Sequence, residues 1–453
     1  MKRIVLSLIF LYIGAPVWAQ SALGSTELSL DEAIRIALDK NYDARSSQLL
    51  LQSAEVSQDR AKANLLPSLA ASSTYGLTKP LDDRTSTLVV DSNAIVIGSN
   101  SASQSHSYSL GGTFNLYSGG GDAANIRSAG YAVDAAKYGL KWARQNVAFG
   151  VTSAYIDALR TKELLNASEK TLGESKAQLE RVRGLHEAGS IAIGQVYQQE
   201  ALVGQQELES INAQNQYDNA RTDLFFLLNL PQDALRYDVT VRGIDTSVTT
   251  IKSRTPTVSI TDAAIADILS RREDFLSTRS SILASESAID VTRSALLPQV
   301  DLTYSIGGGA GSKAFEFDRF MYQNDLEGGL SFRWSLFDRS QTHLSAELQE
   351  LNVQIDKIRL EQDEQSFRTE IVKANNTLRS AERAVEASER ALRAAEESTR
   401  LATERVRVGA GIQVDVIVAQ SQLQTARTNR VNAIYNYVFA QKQLEYLLGR
   451  WNY

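Results

Sequence analysis

Residues 371–408 read IVKANNTLRSAERAVEASERALRAAEESTRLATERVRV. Ile371, Leu378, Val385, Leu392, Thr399 and Val406 recur every seven residues, with Ala374, Ala381, Ser388, Ala395 and Ala402 three after the first five. This is an a/d heptad whose d positions are small. The helix it implies begins further back, because Gln341 to Val408 is free of glycine and proline over 68 residues. In the first part of that stretch Leu344, Leu348, Leu351, Ile355 and Ile358 keep the 4-3 rhythm in a shifted phase. At 1.5 Å per residue the helix reaches about 100 Å, longer than a globular domain requires. A heptad run is compatible with a plain coiled-coil rod. Small d residues instead let helices approach closely over a broad, gently curved surface with neighbours on both sides.

Working outward, the chain is an internal duplication. Asp31, Ala33, Ile34, Leu38, Asp43, Glu55, Leu65, Leu66 and Pro67 recur 231 positions later as Asp262, Ala264, Ile265, Leu269, Asp274, Glu286, Leu296, Leu297 and Pro298. Further along the offset is 220, pairing Leu116 with Leu336, Ala154 with Ala374, Gly189 with Gly409, Val196 with Val416 and Ala220 with Ala440. The first repeat therefore holds 11 more residues between Gly76 and Leu116, as a surface loop does.

Each repeat opens with a helical pattern, over 30–64 and 260–295, and Ser29 with Glu32 predicts an N-terminal capping box for the first. The periodicity then switches to strand. Leu69, Ala71, Ser73, Tyr75 and Leu77 alternate with polar or small residues, as do Tyr108, Leu110, Phe114 and Leu116. In the second repeat Val300, Leu302, Tyr304 and Ile306 oppose Asp301, Thr303 and Ser305, and Leu326, Leu330, Phe332, Trp334 and Leu336 oppose Glu327, Ser331, Arg333 and Ser335. Four strands with one apolar, aromatic face and one polar face match a transmembrane β-barrel. A pair of hairpins lying on a soluble core is the other reading, but no further domain offers itself for those faces. Four strands cannot close a barrel, and an open edge is not tolerated in hydrocarbon, so the chain must oligomerise.

The predicted order is a signal peptide over 1–19, a first repeat over 20–230 with a β-hairpin at 68–117, a long helix at 121–188 and a returning helix at 190–229. A connecting element at 231–258 follows, and then a second repeat over 259–453 with a β-hairpin at 299–337, a long helix at 341–408 and a returning helix at 411–448. The signal peptide rests on Lys2 and Arg3, an apolar run from Ile4 to Ile13, and Ala19 before Gln20. Its removal takes two cations from a chain of net charge −6, leaving −8, which argues against nucleic acid as a partner. With no cysteine there is neither a disulfide nor an acylated N-terminal cysteine. His106, His186 and His343 are scattered, and no nucleophile elbow, phosphate loop or metal-ligand spacing joins them; no catalytic residue, cofactor or metal site is expected.

The order of these pieces, with the strand exits Leu116-Tyr117-Ser118-Gly119-Gly120 and Leu336-Phe337-Asp338 and the glycine turns, resembles the TolC-type outer membrane efflux and secretion channels. The resemblance implies a mixed α/β membrane protein with an internal two-fold repeat. Four strands per protomer would give a 12-stranded barrel in a homotrimer, continued by a long antiparallel α-helical coiled-coil barrel in the periplasm. It implies outer membrane lipid, a periplasmic adaptor and an inner membrane RND or ABC transporter as partners, and a passive exit duct of a tripartite pump or type I secretion system. A periplasmic adaptor, or a coiled-coil structural protein of the envelope, is the alternative. The turn residues Gly189, Ser190, Gly409 and Gly411 are implied to contact the adaptor, and Asp415 matches the position that lines the entrance with carboxylates. Val418, Gly411, Val406, Gly194 and Gln195 depart from the family's gate residues, so its closing bonds cannot all be reproduced. Gln195, Arg405 and Arg407 are the nearest substitutes.

Overall fold

A computed structural model of the chain describes residues 26–79, 86–90, 93–97, 103–230, 237–240, 261–312 and 325–451. The signal peptide over 1–19 and most of the connection over 231–258 lie outside them. The elements run β1 (Thr26–Leu28), α1 (Leu30–Lys40), α2 (Tyr42–Ala63), β2 (Ala70–Thr78), β3 (Ser86–Val90), β4 (Asn93–Ile97), β5 (Ser103–Tyr117), α3 (Gly121–Glu187), α4 (Ile193–Leu227) and β6 (Tyr237–Val239). They continue with α5 (Asp262–Arg271), α6 (Glu273–Ser294), β7 (Gln299–Ser312), β8 (Asp325–Arg333), α7 (Gln341–Arg407) and α8 (Gln413–Leu447). Both long helices have 67 residues, and both returning helices have 35.

The structure corrects three boundaries. The helix expected over 30–64 is two helices, α1 and α2, broken at Asn41, whose backbone is extended. The helix over 260–295 breaks in the same way at Arg272, 231 positions later. Side chains hold both breaks: Asn41 Nδ2 donates to the Leu227 carbonyl at 2.9 Å, and Arg272 takes Asp274 with Nε at 3.0 Å and Nη2 at 2.7 Å. The last strand ends at Arg333, short of 337, and β3 and β4 form a further hairpin inside the first loop.

The chain forms two compact units. One comprises Met1–Asn41, Val147–Pro256 and Thr377–Gln443. In it α3 and α4 form an antiparallel hairpin around Leu179, Val182, Val196 and Val203. A second hairpin brings α7 against α8, with Arg430 Nε on Glu389 Oε1 at 2.5 Å and Thr399 Oγ1 on the Ala419 carbonyl at 3.0 Å. A parallel pair of short strands, β1 and β6, is clipped to α3 by the Tyr155 hydroxyl, 2.6 Å from the Leu28 carbonyl and 2.5 Å from that of Thr240. Lys162 adds an ion pair to Asp238 at 2.6 Å. Burial pushes the Tyr155 phenol up to about 12, because the charged form loses its water.

The other unit comprises Tyr42–Asn146, Thr257–Asn376 and Leu444–Tyr453. Its four-stranded antiparallel sheet runs β2-β5-β7-β8, which leaves β2 and β8 as free edges among the described residues. Beside it α6 packs antiparallel on α7 through Ile282, Ile289, Ala346 and Val353, flanked by Lys357–Glu286 at 2.6 Å and Arg279–Glu364 at 2.8 Å. Arg272 is buried in an aromatic box, 4.3 Å from the Phe367 ring centre and 4.8 Å from that of Trp142.

Candidate functional site

The two helix turns share one geometry. Gly189 and Gly409 both have φ of +74°, the left-handed conformation that ends a helix and that a Cβ disfavours. The next amide reaches back in each: Ser190 N–H to the Leu185 carbonyl at 2.9 Å, and Ala410 N–H to that of Arg405 at 2.8 Å. The chain then reverses into α4 or α8 within a few residues. Gly411 is held close for a different reason, since a Cβ there would sit 3.0 Å from Arg405 Cβ.

Of the sequence-predicted charges, Arg407 is tied within its own helix to Glu404 at 2.5 Å. That hydrogen bond holds the Glu404 carboxyl below its usual range and the guanidinium above its own. Arg407 thus pairs within its own helix while its guanidinium stays exposed. Arg405 is exposed, Gln195 is half-buried, and Asp415 is exposed in the first turn of α8, where the helix dipole favours a carboxylate. No hydrogen bond or ion pair among the described residues joins Asp415, Gln195 and Arg405. Exposed apolar residues surround the second turn: Val408, Ile412, Val414 and Val418.

A buried amide contact nearby escapes sequence reading. Gln413 Nε2 donates to Gln199 Oε1 at 3.1 Å, joining the first residue of α8 to α4. Its only sequence signal is glutamine where a returning helix would carry its seam. Among the described residues no group of three His, Asp or Glu side chains is placed to hold a metal ion, and no helix is long and apolar enough to cross a membrane.

A second functional surface is the sheet. Register puts Ala71, Leu110, Ile306 and Leu326 in one row, and Phe114, Leu302 and Leu330 in another. Leu326, Leu330 and Phe332 are 82%, 72% and 67% exposed, far beyond what an apolar strand face bears in water. The opposite face carries Ser72, Ser109, Thr303, Ser305 and Glu327 and lines a concavity of about 680 Å³. One apolar and one polar face is the alternation seen in transmembrane β-strands.

Comparison with known proteins agrees. The family described as outer membrane efflux protein matches residues 33–230 and 264–450. The chain is 24% identical over 432 residues to the pyoverdine export outer membrane protein OpmQ of Pseudomonas putida, covering 93% of this chain and 85% of that protein. It is 27% identical over 297 residues to the protein of the same name from Pseudomonas aeruginosa, covering 65% of this chain and 59% of that one. The crystal structure of the outer membrane protein VceC from Vibrio cholerae superposes with a TM-score of 0.73 at 18% identity, covering 93% of this chain and 96% of VceC.

Proposed function

This chain belongs to the outer membrane efflux protein family, and from that membership we propose that it works as a homotrimeric channel-tunnel, the exit duct of a tripartite efflux pump or type I secretion system. It resides in the outer membrane with its helical part in the periplasm, and it is a passive conduit rather than an enzyme.

One observation supports the trimer: among the described residues the sheet ends in two unpaired edges, and each edge adjoins a helix with an exposed apolar stripe. Edge β2 follows α2, where Tyr42, Leu49 and Val56 stand seven apart and are 61%, 65% and 67% exposed. Edge β8 precedes α7, where Leu344, Leu351 and Ile358 stand seven apart and are 54%, 50% and 63% exposed. A hydrocarbon environment tolerates no open edge, and a heptad stripe requires a facing helix. Joining β8 and α7 of one copy to β2 and α2 of the next satisfies both, head to tail, and closes as a ring. Three copies of 4 strands give 12.

In this reading the apolar sheet face meets lipid, and the two repeats supply equivalent staves. The turns at Gly189, Ser190, Gly409 and Gly411 meet a periplasmic adaptor, which connects the duct to an inner membrane RND or ABC transporter. Asp415 faces the entrance in triplicate, attracting cations and repelling anions. Pyoverdine, exported by two relatives, is the first cargo to test. The mass of the purified chain in detergent tests the assembly, a trimer being expected and a monomer refuting it. In planar bilayers Asp415→Asn should lower cation selectivity and block by divalent or trivalent cations; unchanged selectivity and block would take Asp415 out of the entrance.

A further inference from the structure

The two repeats meet inside one chain, in the unit that holds the sheet. The duplication preserves strand register there: Ala71 stands opposite Leu110 in the first hairpin, and their mates, Leu302 and Leu330, stand opposite each other in the second. Between the repeats β5 pairs with β7, which sets Leu110 opposite Ile306 and Phe114 opposite Leu302. Alongside, α3 of the first repeat runs antiparallel to α6 of the second. Ser128 Oγ donates to the Ala284 carbonyl at 2.8 Å, and Ser277 Oγ donates to that of Ala135 at 2.8 Å.

The reciprocal faces of the two repeats stay uncovered. Ser280 and Ser287 of α6 are buried, whereas Leu49 and Val56 of α2, 231 positions earlier, are exposed. Ala124 and Ala135 of α3 are buried, whereas Leu344 and Ile355 of α7, 220 positions later, are exposed. Burial in one repeat is thus answered by exposure in the other, and the exposed members are the larger and more apolar ones. Leaving them in water forfeits the free energy of apolar burial, and the surface shaped to cover them is the opposite repeat. A second copy of this chain supplies it.

We propose that the seam between copies repeats, residue for residue, the register of the junction inside the chain: Leu330 of β8 opposite Tyr75 of the next copy's β2, and Leu348 and Ile355 of α7 against Ser53 and Ser46 of its α2. Shifting Leu110–Ile306, Ser128–Ala284 and Ala135–Ser277 by the two repeat offsets yields these pairs. The strand pair passes a check that the offsets do not contain, because Leu330 and Tyr75 both lie on the apolar face, whereas a slip of one residue would send one of them to the polar face. The two kinds of seam differ in width. Serine and alanine let helix axes approach to about 8 Å, while leucine and isoleucine hold them nearer 10 Å, so close seams within chains alternate with wider apolar seams between them. The proposal deepens the trimer reading above and rests on it.

The test uses the full chain in detergent, where the absence of native cysteine makes introduced pairs unambiguous, each variant first checked for the wild-type oligomeric mass. Leu348→Cys with Ser53→Cys, and Ile355→Cys with Ser46→Cys, should join copies covalently on non-reducing gels after mild oxidation. The exchanged combinations, Leu348→Cys with Ser46→Cys and Ile355→Cys with Ser53→Cys, stand one heptad out of step. That is about 10 Å along the helix, beyond the roughly 7 Å between Cα atoms that a disulfide spans, and they should give at least about tenfold less product. Equal yields from matched and exchanged pairs, or none from the matched pairs, overturn the register, assign the stripes to another occupant such as lipid or a second protein, and leave the trimer standing. Should one matched pair fail to assemble, the other decides; should both fail, Leu330→Cys with Tyr75→Cys decides on the sheet. A monomeric wild-type chain sinks the trimer reading, and the register with it.

Discussion

Leu330 and Ser331 are neighbours on β8 that the sheet sends to opposite faces, and exchanging each for arginine separates the membrane reading from a soluble one. Leu330 is the sixth of nine residues in the strand, 72% exposed, and lies in a row with Leu302 and Phe114. Ser331 stands opposite Asp301, so a guanidinium there meets a carboxylate on the polar face. An arginine facing lipid near the middle of a strand costs about 2–4 kcal/mol, while one facing the lumen costs little. In the proposed trimer, three copies multiply the Leu330→Arg penalty to about 6–12 kcal/mol, enough to abolish insertion of a marginally stable barrel. The assay is folding into phospholipid vesicles, followed by the shift of the folded trimer on unheated gels and by protease protection. Leu330→Arg should lose the folded band, and Ser331→Arg should keep it. Equal tolerance of both would refute the assignment of faces.

Other perturbations probe the helical part. Arg272→Ala removes the ion-pair partner of Asp274 and empties the aromatic box around Phe367 and Trp142, and should cost about 3 kcal/mol in denaturant unfolding, with Arg272→Lys recovering part because it keeps the charge but not the fork. Gly409→Ala forces a Cβ into φ of +74° and should cost about 1–2 kcal/mol, whereas Val408→Ala, in the same exposed turn, should cost well under 1 kcal/mol. Burial raises Tyr155, Tyr435 and Tyr446 from 10 to about 12. Their contribution is fully present below pH 10 and lost as pH rises through about 12, so the fold should weaken over that window, less steeply in Tyr435→Phe.

The returning helices show how far repetition carries the argument. The chain leaves α4 at Asn229 with φ of +49° and leaves α8 at Gly449 with φ of +64°, 220 positions apart. Different residues perform one turn, because an asparagine side chain tolerates the left-handed region almost as glycine does. The strand exits differ more. Gly119 and Gly120 in the first repeat correspond to Arg339 and Ser340 in the second, all at positive φ. There a local contact accompanies the left-handed backbone of the second pair, Asp338 Oδ2 accepting from Thr342 N–H at 2.9 Å.

From the sequence alone came what depends on period and order: helices from a 3.6 or heptad rhythm, strands from alternation, and turns from glycine. The family resemblance rested on the same features. Local signals of this kind survive because they are set by residues close in the chain. The tertiary structure decided what depends on distant neighbours. Asn41 and Arg272 break helices whose apolar period runs straight through, since their partners at Leu227 and Phe367 lie far along the chain. Arg407 pairs with Glu404 in its own helix, and the enclosed pair Gln199 and Gln413, 214 residues apart, was illegible until the two hairpins were placed side by side. A glutamine on a helix reads as solvated surface, and only the packing of two hairpins turns it into an interior contact.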